Sequence, residues 1–233
     1  MIIDYVGHSG FLVETGRQLL LFDAERFDPA LIGGKPVNKP LFVFVSHAHP
    51  DHFNPDIFSL AGGRRRVRYL LSFDLKGNPA VPAGTDTNYL DAGKAYEIEG
   101  LGRVETLLSN DEGVSFLIDT GEETVFHAGD LNWWDWEGED PAWLREHERV
   151  FLEETAKLAD REIDAAFLVL DDRLGGRFAK GVLRILSVCR PRFVLPMHFW
   201  QDRTVVERLR AMLPPEKNAA ILDTAHETHW DIR

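Results

Sequence analysis

Between residues 46 and 52 the chain reads Ser46-His47-Ala48-His49-Pro50-Asp51-His52, which gathers three of its nine histidines and a carboxylate. Neutral imidazole and carboxylate are the donors that Zn²⁺ or a similar cation accepts at about 2 Å. In an extended segment residues two apart share a face, so His47 and His49 can both grip one ion. Pro50 disfavours a helical His49 and ends the strand. Asp51 and His52 follow at the turn, swung to one side where a second ion could sit, and Asn54-Pro55 predicts the opening of a helix. Two neighbouring cations lower the pKa of a shared water towards neutrality and polarise the electrophile it attacks. A metal-activated hydroxide of that kind needs no side-chain nucleophile. Accordingly, the sequence shows no Ser-His-Asp or Cys-His arrangement and no phosphate-cradling glycine loop; Gly33-Gly34 and Gly175-Gly176 are ordinary turn signals.

The elements that must position such a centre are legible as apolar runs that end in polar clusters. Leu19-Leu20-Leu21-Phe22 ends at Asp23, and Leu41-Phe42-Val43-Phe44-Val45 at Ser46-His47. Thr124-Val125-Phe126 leads to His127-Ala128-Gly129-Asp130, residues 165–170 to Asp171-Asp172, and residues 192–195 to Pro196-Met197-His198. Continuous apolar runs of this length read as strands covered on both faces. Their C-terminal ends carry the His and Asp residues, where layered α/β folds place ligands. Further hairpin-like strands are predicted over residues 2–6, 10–14, 18–22, 104–108 and 114–119. Helices are predicted behind Asp140-Pro141, an N-cap followed by proline at the first helical position, over 178–189, and over 204–213, the last ended by Pro214-Pro215. No repeat or linker divides the chain, so residues 1–233 read as a single domain: an α/β layered sandwich, not a doubly wound sheet.

His47-Ala48-His49-Pro50-Asp51-His52 resembles the HxHxDH signature of the metallo-β-lactamase superfamily. Residues 7–14 (Gly-His-Ser-Gly-Phe-Leu-Val-Glu) followed by Leu21-Phe22-Asp23 resemble the opening hairpins of its ascorbate-lactonase-like branch. His127-Ala128-Gly129-Asp130 resembles that branch's HAGD segment, and Pro196-Met197-His198-Phe199 its last ligand motif. The resemblance runs over nearly the whole chain and implies a four-layer αββα sandwich with the active site along one sheet edge. It implies that His47 and His49 bind a first metal, that Asp51, His52 and His198 bind a second, and that Asp130 bridges them. Asp51 would also orient the attacking hydroxide. The superfamily's usual third histidine on the first metal is missing. The loop Ser109-Asn110-Asp111-Glu112-Gly113 stands in its place, and Asp111 is the expected replacement. Two zinc ions per chain are expected, although an oxygen-richer site could favour manganese or iron.

Around this centre the resemblance places His8 facing the site, and His127 as an additional histidine beside the ligands. Asp23 is expected to hold a ligating imidazole in its tautomer, as carboxylates behind metal ligands usually do. Asp171, Trp133 and Trp200 are expected to line a substrate pocket, the tryptophans as an apolar wall. His147 is expected to face solvent on a helix, and His226 and His229 could reach the pocket rim.

Composition narrows the function classes. With 26 Lys plus Arg against 38 Asp plus Glu the formal net charge is −12, which repels a nucleic-acid backbone because phosphate binding depends on basic residues displacing counterions. Arg64-Arg65-Arg66-Val67-Arg68 is the one basic run. A nuclease on the same metal core, or a metal-binding protein that has lost turnover, are the alternatives to a hydrolase of a small ester, lactone, amide or phosphodiester. The lone Cys189 allows no intramolecular disulfide and reads as a buried helix residue. The first residues lack the basic and apolar segments of a signal peptide, and no apolar run approaches the roughly 20 residues that span a membrane. These absences predict a cytoplasmic protein without membrane contact. They leave homo-oligomer formation open.

Overall fold

The computed structural model describes residues 1–61, 63, 65–215 and 220–232. Two mixed sheets pack face to face. The first is ordered β13-β1-β2-β3-β4-β5-β6, with β1 (Ile2–Gly7), β2 (Gly10–Glu14), β3 (Leu19–Phe22), β4 (Leu41–Val45), β5 (Val67–Ser72), β6 (Thr87–Leu90) and β13 (His229–Asp231). The second is ordered β12-β11-β10-β9-β8-β7, with β7 (Ala95–Ile98), β8 (Gly102–Leu108), β9 (Val114–Asp119), β10 (Thr124–His127), β11 (Ala165–Val169) and β12 (Phe193–Met197). Antiparallel hairpins open each half, and parallel pairs β3-β4-β5-β6 and β10-β11-β12 close it.

Strand alternation sorts the apolar residues into two cores. Phe11, Val13, Leu20, Phe22, Phe42 and Phe44 face inward onto Phe116, Ile118, Phe126 and Phe167 of the second sheet. Leu12, Leu19, Leu21, Leu41, Val43 and Val45 face the other way and are covered by Ile57 and Phe58 of the 3₁₀ turn Pro55–Leu60 and by Ile32 of the short α1 (Ala30–Gly33). On the far side α2 (Pro141–Ala156), α3 (Lys180–Val188) and α4 (Val205–Met212) lend Phe151, Val182, Ile185, Val205 and Leu209 to the core. The result is the four-layer αββα sandwich, with every strand of the buried apolar runs covered on both faces.

Local chemistry explains the boundaries. Asp140 accepts from the Ala142 and Trp143 amides and Pro141 takes the first helical position, so α2 starts where the sequence predicts. Asn54 likewise accepts from Asp56 N, but the segment behind it is a 3₁₀ helix and not an α-helix. Cys189 is buried and ends α3. One histidine departs from expectation, and another takes a strand position. His147 is half-buried, stacked on Trp143 at 3.4 Å between centroids. His229 pairs with Asp4 at 2.6 Å on the β1–β13 edge, not with the His/Asp cluster. No described helix is long and apolar enough to cross a membrane.

Candidate metal centre

The loops that follow β4, β10 and β12, joined by the β1–β2 turn, converge at one end of the sandwich. Two glycines permit this. Gly113, at φ +69°, lies so close to β4 that a Cβ there would stand 2.0 Å from Ser46 O, and Gly129, at φ +53°, would place one 2.9 Å from Ser46 Cβ. Left-handed backbone also occurs at four described residues that are not glycine, and three of them belong to this region: His8 (φ 45°), Asp23 (φ 36°) and His198 (φ 64°). Such conformations cost on the order of 1–3 kcal/mol each and persist where the surroundings over-determine them. Here Tyr5 Oη donates to His8 O at 3.1 Å and His198 N to the same oxygen at 3.2 Å.

Each inner imidazole is held from behind. His52 Nδ1 donates to Asp23 Oδ2 at 2.8 Å, and His198 Nδ1 to Asp171 Oδ2 at 3.1 Å. Ser46 Oγ donates to Asp23 Oδ2 at 2.6 Å, so it must accept from His47 Nδ1 at 2.9 Å. With a proton fixed on Nδ1 in all three, Nε2 is the nitrogen that turns forward, open to a cation once it carries no proton of its own. They surround Asp130: His52 Nε2 lies 3.1 Å from Oδ1, His198 Nε2 3.4 Å from Oδ1, and His47 Nε2 3.6 Å from Oδ2. His8 Nε2 stands 3.5 Å from Asp51 Oδ2.

These atoms fit a cation. The Nε2 atoms of His8, His47, His52 and His198 and Oδ1 of Asp130 are shut off from solvent and make no hydrogen bond. An unmet buried polar atom costs about 1–3 kcal/mol, a cost that a cation shared by these atoms would offset. Two donors each about 2.1 Å from one ion at tetrahedral to octahedral angles stand about 3.0–3.5 Å apart, close to the separations around Asp130. Among the described residues three overlapping groups bring one donor atom per member within 4.8 Å of one another: His8-Asp51-His52-His198, His47-His52-Asp130, and His49-Asp111-Asp130.

β4 ends at Val45, and His47 and His49 both lie in the turn beyond it, their rings 4.7 Å apart at 83° and each in a donor group that includes Asp130. His47 is wholly buried, whereas His49 is half-exposed and meets Glu112 Oε2 at 2.8 Å. Glu112 was not singled out from the sequence, although it sits in the same loop as Asp111.

Charge is strongly redistributed. Burial opposes the imidazolium of His52, yet the carboxylates of Asp130 and Asp23 outweigh it and hold its pKa well above the ordinary value. By the same opposition, with Asp130 and Asp171 prevailing, His198 is raised to about 9. At His47 burial and the charge of His52 prevail and push it down to about 4. Burial works against an ionised Asp130, but His52 and His198 hold it well below the carboxylate range. His8 does the same for Asp51, against the opposing effect of burial.

The remaining expected residues separate. Asp23, Asp171 and His8 meet the cluster directly through the contacts above. His127 is buried with Nε2 donating to Ser9 O at 2.9 Å and its ring stacked on Phe22, so it secures the β1–β2 turn and offers no donor to the cluster. Asp171 is fully buried and shared between His198 and Arg173, which removes it from any role in lining a pocket. Trp200 lies at the mouth against His8, 4.6 Å between centroids. Trp133 turns away, packing on Phe151 of α2 and under Lys180. Its neighbour Trp134 points the opposite way, edge-on to His198, and donates Nε1 to Asp130 O at 3.0 Å.

A family model described as a beta-lactamase superfamily domain matches residues 11–199, and the chain belongs to that superfamily. Among curated relatives, a protein of Pyrobaculum calidifontis is 29% identical over 211 residues, covering 85% of this chain and 84% of the relative. One of Deinococcus radiodurans is 24% identical over 210 residues, covering 83% and 82%. Both carry the name UPF0173 metal-dependent hydrolase. Among solved structures, Igni18, a metallo hydrolase from Ignicoccus hospitalis, aligns at TM-score 0.64 with 17% identity over 100% of this chain and 99% of its own. Zn²⁺-bound PqqB from Methylobacterium extorquens aligns at 0.57 with 14% identity over 100% of each chain. These likenesses establish the shared sandwich.

Proposed function

We propose that the protein is a metal-dependent hydrolase of a small ester, lactone, amide or phosphodiester, with two divalent cations held side by side. His47, His49 and Asp111 would hold one, Asp51, His52 and His198 the other, and Asp130 would lie between them. The carrying observation is the convergence of unpaired, desolvated imidazole nitrogens on Asp130. The relatives' common name supports it. Zinc suits the imidazole-rich set, and the oxygen of Asp111 leaves manganese or iron as alternatives. When bound, the cations polarise the electrophile and make water acidic enough to react near neutral pH. The chain's own part is to aim the donors: Asp23, Ser46 and Asp171 fix the tautomers, and Asp51, partly open to the cavity beside His8, orients the attacking water. A nucleic-acid partner is not proposed. Arg65 is taken up by the carbonyls of Lys35, Pro36 and Lys39, Arg66 by Glu99 and Arg68 by Asp86, while Arg64 lies outside the described residues. A cytoplasmic location accords with the lone buried cysteine.

Metal analysis with a panel of carboxylic esters, lactones and bis(4-nitrophenyl) phosphate tests the reading. Hydrolysis is expected from the zinc- or manganese-loaded protein and none after exhaustive chelation. Full turnover by a demonstrably metal-free preparation would refute it, and firm metal retention without turnover on any member would favour a binding protein. Asp111 is open to a separate test. Asp111→Ala is expected to weaken one of the two cations by about ten- to a hundredfold, and Asp111→His to tighten it and shift preference towards zinc. If Asp111→Ala leaves stoichiometry and affinity as they were while Glu112→Ala lowers them, the donor is Glu112.

A further inference from the structure

Beside the cluster opens a cavity of about 360 Å³ whose lining includes His8 and Asp51 on the cluster side together with Glu25, Arg26, Arg203 and Trp200. That volume is in the range of small-molecule sites, about 300–1,000 Å³, and its floor includes two members of one donor group. The cavity depends on Gly7: a Cβ there would stand 3.0 Å from Arg26 Cδ, so the missing side chain lets the Arg26 stem lie across the β1–β2 turn. Trp200 is 46% exposed, one of the few large apolar side chains left open to solvent; its ring meets His8 edge-on, 4.6 Å between centroids, and the guanidinium of Arg173 lies over it at 4.8 Å. The wall thus offers an apolar ring beside two guanidinium groups, Arg26 and Arg203, and two carboxylates, Glu25 and Asp51.

The charges are unevenly committed. Arg26 is paired with Glu25 at 2.9 Å, and Asp51 is turned to the donor cluster. Arg203 donates to the Ala225 carbonyl oxygen at 2.8 Å and, among the described residues, has no carboxylate paired with it. In a chain of net charge −12, a guanidinium that no carboxylate pairs with stands out beside the donor cluster, and guanidinium is the side chain best shaped to grip a carboxylate or phosphate.

We infer that the non-reacting end of the substrate is an anionic group, carboxylate or phosphate, gripped by Arg203 with Arg26 alongside, and that its flat or apolar body lies on Trp200. This rests on the hydrolase reading and narrows its substrate class to anionic esters, lactones, amides or phosphodiesters. Benzoate is the probe, with benzyl alcohol as its neutral counterpart, titrated calorimetrically into the zinc-loaded protein and repeated after chelation. Benzoate is expected to bind, to weaken as salt rises, and to bind at least about tenfold more weakly to Arg203→Ala, with Arg203→Lys between the two. Arg149→Ala, on the exposed face of α2, serves as the control and leaves the affinity unchanged. In the loaded enzyme the ratio of kcat/KM for mono-4-nitrophenyl succinate over 4-nitrophenyl acetate is expected to exceed one and to fall in Arg203→Ala. Benzoate affinities within twofold of each other in wild type and Arg203→Ala, or no preference for benzoate over benzyl alcohol, overturn the assignment. Failure to retain zinc overturns the hydrolase reading instead, and the benzoate titration of the chelated protein still decides the pocket.

Discussion

Asp130→Ala is expected to release both cations and to lower hydrolysis by at least about 10³-fold, the scale of effect that follows when the group assembling a metal-activated nucleophile is lost. Asp130, like His52, belongs to two of the three donor groups, and it stands 3.1–3.6 Å from the Nε2 atoms of His52, His198 and His47. Its removal also takes away the anion that holds the His52 and His198 pKa values up. Both should then titrate lower than in the metal-free wild type, because only Asp23 behind His52 and Asp171 behind His198 remain to offset burial. Asp130→Asn keeps the volume and one oxygen and should retain part of the binding. Histidine NMR titration together with metal content checks both halves. Two cations bound at wild-type affinity to Asp130→Ala would remove Asp130 from the centre, and unchanged histidine titrations would contradict the electrostatic account.

Metal affinity is expected to climb steeply with pH, because the cation must displace protons. Without a cation, His198 titrates at about 9 and His52 well above its ordinary value, so at pH 7 both are largely protonated. His47, at about 4, is already neutral. A cation needs bare Nε2, and each displaced proton raises the apparent affinity about tenfold per pH unit. Between pH 6 and 8 the gain is therefore about a hundredfold per proton, flattening beyond about 9. Stability runs in the opposite direction. A raised histidine pKa stabilises the metal-free fold fully below the unfolded value of about 6.5, and that contribution is lost as pH rises towards 9. The difference in Tm between loaded and chelated protein should widen over the same interval. Calorimetry in buffers of different ionisation heat reads the released protons directly; zero proton release at pH 7 would contradict the charged state assigned to His52 and His198.

Much of this was written in local pattern. The apolar runs at 19–22, 41–45 and 165–170 are strands because both their faces are buried, and runs of that kind need no context to be read. β6 and β7 each bury only their last residue, Leu90 and Ile98, so their sequences carry almost no periodic signal. At the centre, the spacing of His47 to His52 announces a donor cluster, but not its partition, which depends on where β4 stops. The choice between Trp133 and Trp134 turns on one residue of backbone direction after Asp130. His8, Asp23 and His198 hide their left-handed backbone because none is glycine. Ser46, which joins the tautomer of His47 to Asp23, is visible only once the chain is folded.

The centre draws His8, Asp23 and residues 47–52 from the first sheet and its loops, and Asp111, Asp130, Asp171 and His198 from the second. An occupied centre is therefore a rivet between two half-sandwiches, each of which the chain completes largely on its own before crossing to the other. Opening either half must break cation–ligand bonds, so in the loaded protein the slowest-exchanging amides of β4 and β11 should be released together, as one cooperative unit. With the rivet out, the halves are held only by the apolar interface between them, and their amides are free to exchange on separate schedules.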